Sequence, residues 1–267
     1  TPLVTEEFTK CPGHSPLLVG PLRVEFSTPV SLDTVRKENP GLQEGGRYKP
    51  HDCITLQKVA LIIPFCHREE HLKFWLHYLH PVLQRQQLDY GIYVINQVQY
   101  NTHLEIQAER ALKEYDYDCF VFSDVDIIPM DDRNPYKCFS QPRHLSVCMA
   151  SSTLPYNQYF GGVPSMSKEH YWGWGGEDDD IFNRGMSISR PDGVVGKCRM
   201  IHHERDKNNN DNPQRFKRIA HMLKTMDTDG LNSLECEVVA VEKHDLFTKI
   251  TVDVGMPPKD KEDMDKG

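Results

Sequence analysis

The stretch that decides the fold begins with Val59-Ala60-Leu61-Ile62-Ile63 and is followed directly by Pro64. A continuous apolar run of this length is typical of a strand that is buried on both faces, and we expect the proline to end it. The next apolar side chains recur at helical spacing and predict an amphipathic helix over about 69–83. They are Leu72, Trp75, Leu76, Leu79 and Leu83.

The same alternation repeats further along the chain. A second strand is predicted over 91–96, apolar residues from Leu104 to Tyr115 mark a second helix, and a third strand covers 119–123. Strands that alternate with helices in this way form parallel α/β sheets, and ligands bind beyond the carboxyl ends of their strands. The residues that follow the third strand, Asp124-Val125-Asp126, should therefore face the active site.

Three regions are predicted along the chain. Residues 1–56 are rich in proline and glycine, include strand-like pieces such as Leu22–Phe26, and form an irregular N-terminal arm packed on the core. Residues 57–256 form the main domain, which closes with an alternating strand over 248–252. Residues 257–267 are charged and lack apolar spacing, which is typical of a disordered tail.

Composition and charge exclude several classes of function. The formal net charge of -8 argues against electrostatic binding of nucleic acid. No apolar run approaches the roughly 20 residues that span a bilayer. The first residues, 1–4, include no initiator methionine and no secretory signal, so we expect that the chain was trimmed from a longer one, with a signal or a membrane anchor as the alternatives for the removed part. The eight cysteines include no CxxC pair, and their even number permits disulfides, although a reduced protein can carry eight thiols too.

Asp124 and Asp126 form a DxD pattern at the predicted end of the third strand. One of two such carboxylates can bind a divalent cation directly. The alternative is an ordinary acidic surface loop, because a short DxD pattern often arises by chance. The apolar run Phe120–Phe122 favours the exit from a buried strand, where a cation would bridge the phosphates of a nucleotide-sugar.

A second informative segment runs from Tyr171 to Asp180 and reads YWGWGGEDDD. One interpretation is the acidic amino end of a helix, where the helix dipole favours carboxylates. The other is a sugar site, because the rings of Trp172 and Trp174 can stack on a sugar while adjacent carboxylates bind its hydroxyls. One carboxylate beside an aromatic ring can also act as a general base.

Candidate metal ligands lie in Arg199-Met200-Ile201-His202-His203. Adjacent side chains of an extended segment point to opposite sides, so at most one of the two histidines joins Asp126 at the same ion. A thioether is an unusual ligand for a hard cation, and the residue pattern alone favours core packing for Met200.

Several motifs together resemble the vertebrate β-1,4-galactosyltransferases, and the similarity runs in order from about Leu22 to Val254. They are Phe122-Ser-Asp-Val-Asp126, Tyr159-Phe-Gly-Gly162, Trp172-Gly-Trp-Gly-Gly-Glu-Asp-Asp-Asp180, Gly196-Lys-Cys-Arg-Met-Ile201 and Asn212-Pro-Gln-Arg-Phe216. The resemblance implies the α/β GT-A glycosyltransferase fold, with a Rossmann-like, mainly parallel central sheet, an acceptor-binding half and mobile loops. It also implies that residues 57–256 are a catalytic domain.

The resemblance implies an inverting, Mn²⁺-dependent enzyme. Its expected reaction is the transfer of galactose from UDP-galactose to the 4-hydroxyl of glycans that end in N-acetylglucosamine. Glucose is the expected acceptor when α-lactalbumin is bound, as in lactose synthase. The resemblance implies a location in the Golgi lumen, as the catalytic domain of a type II membrane protein, with secreted and cell-surface forms as alternatives. Membrane attachment is then expected only through an N-terminal anchor that this chain lacks.

The site residues are implied by the same resemblance. Asp126, Met200 and His203 look like the metal ligands, which overturns the packing interpretation of Met200. Asp178 looks like the catalytic base, and Glu177 beside it looks like a second catalytic residue that holds the donor sugar. Donor contacts fall on Pro64, Phe65, Arg68, Asp124, Tyr159 and Trp174, with Tyr159 at the position that disfavours N-acetylgalactosamine donors. Acceptor contacts fall on Asp179, Arg215, Phe216 and Ile219.

The resemblance also implies how the cysteines pair. Cys11–Cys53 and Cys119–Cys138 correspond to the family's two disulfides, and Cys198 corresponds to a buried free thiol. The chain departs from the family where PFRNR is replaced by Pro64-Phe65-Cys66-His67-Arg68, which removes one arginine near the phosphates. The FNRAK segment of the family is not recognisable over 98–109, and the chain is shorter near Leu154, Ser167 and Asn183.

These departures leave two alternatives to the galactosyltransferase prediction. One is a sugar-binding or adhesion module that keeps the same scaffold with weakened catalysis. The other is a sibling β-1,4-glycosyltransferase with another acceptor, such as xylose, or with N-acetylgalactosamine donors.

Overall fold

The computed structural model describes residues 9–97, 115–147, 160–167, 187–202 and 237–253. In chain order its helices and strands are α1 Leu32–Glu38, β1 Lys58–Phe65, α2 Glu69–Arg85, β2 Asp89–Gln97, β3 Cys119–Phe122, β4 Ile127–Pro129, β5 Arg143–His144, β6 Pro164–Ser167, β7 Cys198–Met200, β8 Glu237–Lys243 and β9 Thr248–Asp253. Within this part of the chain the strands form one seven-stranded sheet and one two-stranded sheet.

The large sheet is parallel at its centre. Its strand order is β5-β6-β3-β1-β2-β9-β8, and the pairs of β1 with β2, β1 with β3 and β2 with β9 are parallel. The outer pairs, β3 with β6, β5 with β6 and β8 with β9, are antiparallel. Residues Val59–Ile63 of the central strand are fully buried, as expected for a strand that is covered on both faces. The predicted α/β class is therefore confirmed.

The prediction that Pro64 ends β1 is wrong, because the strand continues to Phe65. Alternate residues of a strand direct their backbone groups to the same neighbour, and the carbonyl of Ile62 accepts a hydrogen bond from Ser123 N–H at 2.9 Å. The nitrogen of Pro64 therefore faces the side of β3, and β3 has already ended at this level. The missing N–H of proline costs no sheet hydrogen bond there.

The amphipathic helix predicted over about 69–83 is confirmed as α2, which extends to Arg85. The five apolar side chains that predicted it are all buried. Strands β2, β3 and β9 lie where the sequence predicts them, with ends that differ by one or two residues. The helix predicted from Leu104 to Tyr115 lies outside the described residues except for Tyr115. The elements that were not predicted are α1, β4, β5, β6, β7 and β8.

The described part of the N-terminal arm is attached to the core by apolar and polar contacts. Three of its side chains join the buried cluster of β1 and α2, namely Val24, Val35 and Leu42. The buried carboxylate of Asp132 accepts hydrogen bonds from the backbone N–H groups of Val19 at 3.0 Å and Gly20 at 2.8 Å. It also accepts one from Arg85 Nε at 2.7 Å, which links the arm to α2. The boundary at residue 56 and the tail over 257–267, which is outside the described residues, stay predictions.

The disulfides Cys11–Cys53 and Cys119–Cys138 have the pairing that the resemblance implies. The first closes a loop within the arm, and the second ties β3 to the segment after β4. Among the described cysteines Cys66 and Cys198 form no disulfide, and Cys198 is buried, as the resemblance also implies. No helix in the described ranges combines the length and the apolar character needed to cross a membrane.

Candidate active site

The carboxyl end of β3 leads directly into the DxD pattern. Ser123 N–H makes the last hydrogen bond to β1. The next amide, that of Asp124, points to the side of β6 and donates to the carbonyl of Gly162 at 2.9 Å, in the register that pairs β3 with β6. Ile127 N–H then donates to the carbonyl of Asp124 at 3.2 Å and closes a turn. The two acids therefore lie at the carboxyl edge of the parallel sheet, where ligands bind in this class of fold, and the surface-loop alternative is not supported.

The two-stranded sheet brings the second acid next to β7. Ile127 of β4 pairs with Met200 of β7, and Ile201 N–H donates to the carbonyl of Asp126 at 2.8 Å. Asp126 is 8% exposed, whereas Met200 is 37% exposed. A methionine that serves core packing would be buried like Cys198 on the same strand, which is 4% exposed. The exposure of Met200 therefore does not support the core-packing interpretation.

The residues at this point fit a divalent cation. Asp126, in the turn between β3 and β4, supplies a carboxylate oxygen, which is a hard ligand. Met200 of β7, the strand that pairs with β4, supplies an accessible thioether. The third predicted ligand, His203, lies just outside the described residues. Among those that are described, no three His, Cys, Asp or Glu side chains cluster as an alternative metal site.

The DxD turn is held in place by a residue of α2 whose role the sequence analysis missed. The indole Nε1–H of Trp75, which is fully buried, donates to Ser123 Oγ at 3.0 Å. The hydroxyl of Ser123 donates in turn to the carbonyl of Asp124 at 3.3 Å. A buried indole needs a hydrogen-bond partner for its N–H, and this is the signal that distinguishes Trp75 from the other apolar residues of its helix.

The end of β1 leads into the loop that precedes α2. Pro64 and Phe65 are the last residues of β1, and Arg68 is the N-cap residue of α2, with Nη1 3.4 Å from Nδ1 of His71. Between them His67 has a φ of 49°, in the left-handed region. Asparagine and histidine are enriched among the non-glycine residues that adopt this conformation. His67 therefore meets the backbone requirement of the position at which PFRNR has asparagine.

We expect His67→Val to lower the free energy of unfolding by about 1–2 kcal/mol, because a β-branched residue is strained at positive φ. His67→Asn should unfold at the same urea concentration as the wild type. Urea unfolding followed by circular dichroism measures both. His51→Val is the matched control, since His51 is exposed and its φ is not positive. Equal losses in the two valine variants would contradict the strain argument.

Strand β7 is also supported by the N-terminal arm. The guanidinium of Arg199, next to Met200, donates to the carbonyl of Val24 and lies over the ring of Phe26, with Cζ 5.4 Å from the ring centroid. Phe26 packs in turn against Phe74 of α2, with ring centroids 5.3 Å apart. The arm thus contributes to the position of the strand that carries a candidate ligand.

The predicted site residues divide into two sets. The structure places one set at the carboxyl edge of the sheet: Pro64, Phe65, Arg68, Asp124, Asp126 and Met200. The other set lies outside the described residues: Tyr159, Trp174, Glu177, Asp178, Asp179, His203, Arg215, Phe216 and Ile219. The roles of both sets stay predictions.

Two family models match the chain. One is described as the N-terminal region of glycosyl transferase group 7 and matches residues 11–139. The other is described as the N-terminal domain of galactosyltransferase and matches residues 142–204. The two ranges include the DxD turn and β7, and they cover more than half of the 267 residues.

Solved structures with a similar fold include two of Drosophila β-1,4-galactosyltransferase 7. One is its catalytic domain in complex with xylobiose, and the other is a mutant in complex with manganese, UDP-Gal and xylobiose. Each has a TM-score of 0.62 over 76% of this chain and 96% of the solved chain, at 23% and 22% sequence identity respectively. At this identity the likeness shows the fold alone, which is the predicted GT-A fold.

Curated relatives extend the similarity beyond the fold. The chain is 60% identical over 268 residues to beta-1,4-galactosyltransferase 1 of Homo sapiens, covering 92% of this chain and 67% of that protein. It is 54% identical over 265 residues to beta-1,4-galactosyltransferase 2 of Homo sapiens, covering 91% of this chain and 71% of that protein. With the DxD turn in place at the edge of a GT-A sheet, these identities show that the chain belongs to the β-1,4-galactosyltransferase family.

Proposed function

We propose that this galactosyltransferase moves galactose, with inversion, from UDP-galactose to the 4-hydroxyl of a terminal N-acetylglucosamine. The observation that carries the proposal is the turn of Asp124 and Asp126 at the carboxyl edge of the parallel sheet, beside the exposed Met200. Nucleotides bind at this edge in open α/β sheets. Identities of 60% and 54% to two β-1,4-galactosyltransferases support the choice of donor and linkage.

The proposed cofactor is Mn²⁺, held by Asp126, Met200 and His203. A bound divalent cation offsets the negative charge that develops on the departing diphosphate. Manganese is present in the solved structure of the Drosophila relative. The pairing of a carboxylate with a thioether also favours a transition-metal ion over the harder Mg²⁺.

The remaining roles are assigned to residues of this chain as part of the proposal. Asp178 takes the proton from the acceptor 4-hydroxyl. The hydroxyl oxygen of the acceptor then attacks C1 of galactose from the face opposite the diphosphate, which inverts the configuration. Glu177 and Trp174 hold the galactose. The nucleotide is contacted by Pro64, Phe65, Arg68 and Asp124, and the acceptor is held by Asp179, Arg215, Phe216 and Ile219.

The acceptor is tested with UDP-galactose, Mn²⁺ and a panel of free sugars. We expect transfer to N-acetylglucosamine, and transfer to glucose only after α-lactalbumin is added. Xylose belongs in the panel because the solved Drosophila relative is a complex with xylobiose. A kcat/KM for xylose that equals or exceeds the value for N-acetylglucosamine would assign the sibling specificity instead.

A sugar-binding module is the second candidate, and Cys66 is the observation that favours it. This half-exposed residue stands where PFRNR has an arginine, so the loop after β1 carries one positive charge fewer beside the proposed diphosphate site. Calorimetric titration separates the two candidates. A chain that binds N-acetylglucosamine but not UDP-galactose with Mn²⁺ is a binding module, and Cys66→Arg should then strengthen UDP binding.

The proposed compartment is the Golgi lumen. The Cys11–Cys53 and Cys119–Cys138 disulfides support it, because disulfides persist in the oxidising secretory pathway and are rare in the cytosol. Fluorescence microscopy of the tagged full-length protein should show overlap with a Golgi marker. A diffuse cytosolic signal, with these four cysteines reactive to alkylating reagents, would contradict the assignment.

We expect Met200→His to hold the metal more firmly and to extend activation to Mg²⁺, because an imidazole nitrogen is a stronger ligand than a thioether. The concentration of Mn²⁺ that gives half-maximal activity should therefore fall. Met200→Leu is the matched control, since it keeps the size but removes the sulfur and should weaken activation by Mn²⁺. Unchanged Mn²⁺ and Mg²⁺ activation curves for both variants would remove Met200 from the ligand set.

A further inference from the structure

His144 of β5 is a buried residue that contacts the turn beside the DxD pattern. It is fully buried, and its Nε2 lies 2.7 Å from the carbonyl oxygen of Gly161. Nε of Arg190 lies 3.4 Å from Nδ1 of the same imidazole. A guanidinium only donates hydrogen bonds, so Nδ1 accepts, and the ring proton on Nε2 is donated to Gly161.

The turn that His144 contacts is constrained on several sides. The hydroxyl of Ser146 lies 3.1 Å from His144 Nε2 and 3.5 Å from the carbonyl oxygen of Gly161. Phe160 is buried with its ring centroid 5.9 Å from that of His144. Gly162 has a φ of 87°, which glycine adopts without strain and other residues rarely adopt. The turn therefore has a defined conformation that depends on the histidine.

The next carbonyl of this turn contacts the DxD pattern itself. Gly162 accepts the hydrogen bond from Asp124 N–H at 2.9 Å. Two consecutive carbonyls are thus fixed, the first by His144 and the second by Asp124. The bond to Gly162 continues the register of β3 with β6, and it holds Asp124 at the point where the acidic turn begins. We therefore expect a displacement of Gly161 to shift the neighbouring carbonyl of Gly162, which Asp124 contacts.

We infer that His144 is a positioning residue for the metal and nucleotide site, acting on Asp124 through Gly161 and Gly162. The inference rests on the proposed function, because the measured effect is on binding of UDP in the presence of Mn²⁺. The inference places His144 outside the residues that contact the ligands, as a fully buried residue that acts through the turn. Groups that orient a metal site from outside change its affinity by about tenfold or more when they are removed.

The test compares His144→Leu with the matched control His80→Leu. His80 is also fully buried, with ring nitrogens 2.8 Å from the hydroxyl of Tyr90 and 3.0 Å from the carbonyl oxygen of Leu246. Tyr90 lies at the amino end of β2, which is the opposite edge of the sheet from Asp124. We expect both variants to melt at a lower temperature, but only His144→Leu to raise the calorimetric Kd for UDP, by about tenfold.

Two further variants keep the test decisive. His144→Gln places an amide nitrogen near the position of Nε2 and should bind UDP with the Kd of the wild type. Ser146→Ala removes the hydroxyl beside the same carbonyl, and it replaces His144→Leu if that variant does not fold. It should raise the Kd by about threefold.

An unchanged Kd in His144→Leu, or in Ser146→Ala where that variant replaces it, overturns the inference. An equal rise in His80→Leu also overturns it, because the effect would then be a general loss of stability. A wild-type chain that binds no UDP with Mn²⁺ overturns the proposed function and the inference together. Normal wild-type binding with unaffected variants overturns the inference alone.

Discussion

We expect Asp126→Asn to reduce galactose transfer on the order of 10³-fold or more at saturating Mn²⁺. A neutral amide is a poorer metal ligand than a carboxylate and leaves the charge of the departing diphosphate less compensated. The backbone carbonyl of Asp126 still accepts the hydrogen bond from Ile201 N–H, so the substitution keeps the contact between β4 and β7. Initial rates with UDP-galactose and N-acetylglucosamine measure the loss.

The control for this prediction is an Asp→Asn substitution at the amino end of β3, the strand whose carboxyl end leads to the DxD turn. Asp118 precedes β3, and its carboxylate accepts a hydrogen bond from Lys58 N–H at 2.9 Å. Asparagine keeps an acceptor oxygen there, so Asp118→Asn should retain the wild-type rate. An Asp126→Asn variant that keeps most of its activity would show that the DxD turn is not the metal site.

We expect acid to destabilise the fold through two buried histidines. Burial lowers the pKa of His80 and of His144 from 6.5 to about 4, although the carbonyls of Leu246 and Gly161 oppose the shift. Between pH 6.5 and about pH 4 the unfolded chain therefore binds up to two protons that the folded chain does not bind. Their contribution to stability is complete above pH 6.5 and is lost as the pH falls to about 4. Each histidine then costs about 3 kcal/mol of unfolding free energy.

Urea unfolding at pH 7 and at pH 4 checks this contribution. His80→Gln should be less stable than the wild type at pH 7, because it disturbs the hydrogen bonds to Tyr90 and Leu246. Its loss of stability between the two pH values should be smaller by about 3 kcal/mol, since glutamine does not titrate. His14→Gln, at an exposed position, should keep the wild-type dependence. A His80→Gln variant with the wild-type dependence would contradict a neutral His80 in the folded state.

The central part of the fold is predictable because burial on both faces leaves a direct pattern in the sequence. The run Val59–Ile63 and the helical spacing of α2 both follow from which faces meet the core. The edge of the sheet is less predictable. Strand β5 has only two residues, Arg143 and His144, and no periodicity is visible over two positions. Pro64 was misjudged because its missing N–H matters only if the strand on the side that its nitrogen faces, here β3, reaches that level.

The candidate site was predictable where one short motif carries the chemistry, as at Asp124 and Asp126. It was not predictable where residues far apart in sequence meet. The interpretation of Met200 from residue type alone was core packing, and its exposure emerges only from the pairing of β4 with β7. The contacts of Trp75 with Ser123 and of His144 with Gly161 likewise depend on tertiary packing, since neither pair is adjacent in the chain.

The most direct measurement is an NMR analysis of the product formed from UDP-galactose and N-acetylglucosamine, with Mn²⁺ and with a chelator in its place. We predict a single disaccharide in which a β-configured galactose is joined to C4 of N-acetylglucosamine, and no product in the chelated sample. An α-configured galactose, a bond to another carbon, or equal product without metal would contradict the assignment of an inverting, metal-dependent β-1,4-galactosyltransferase.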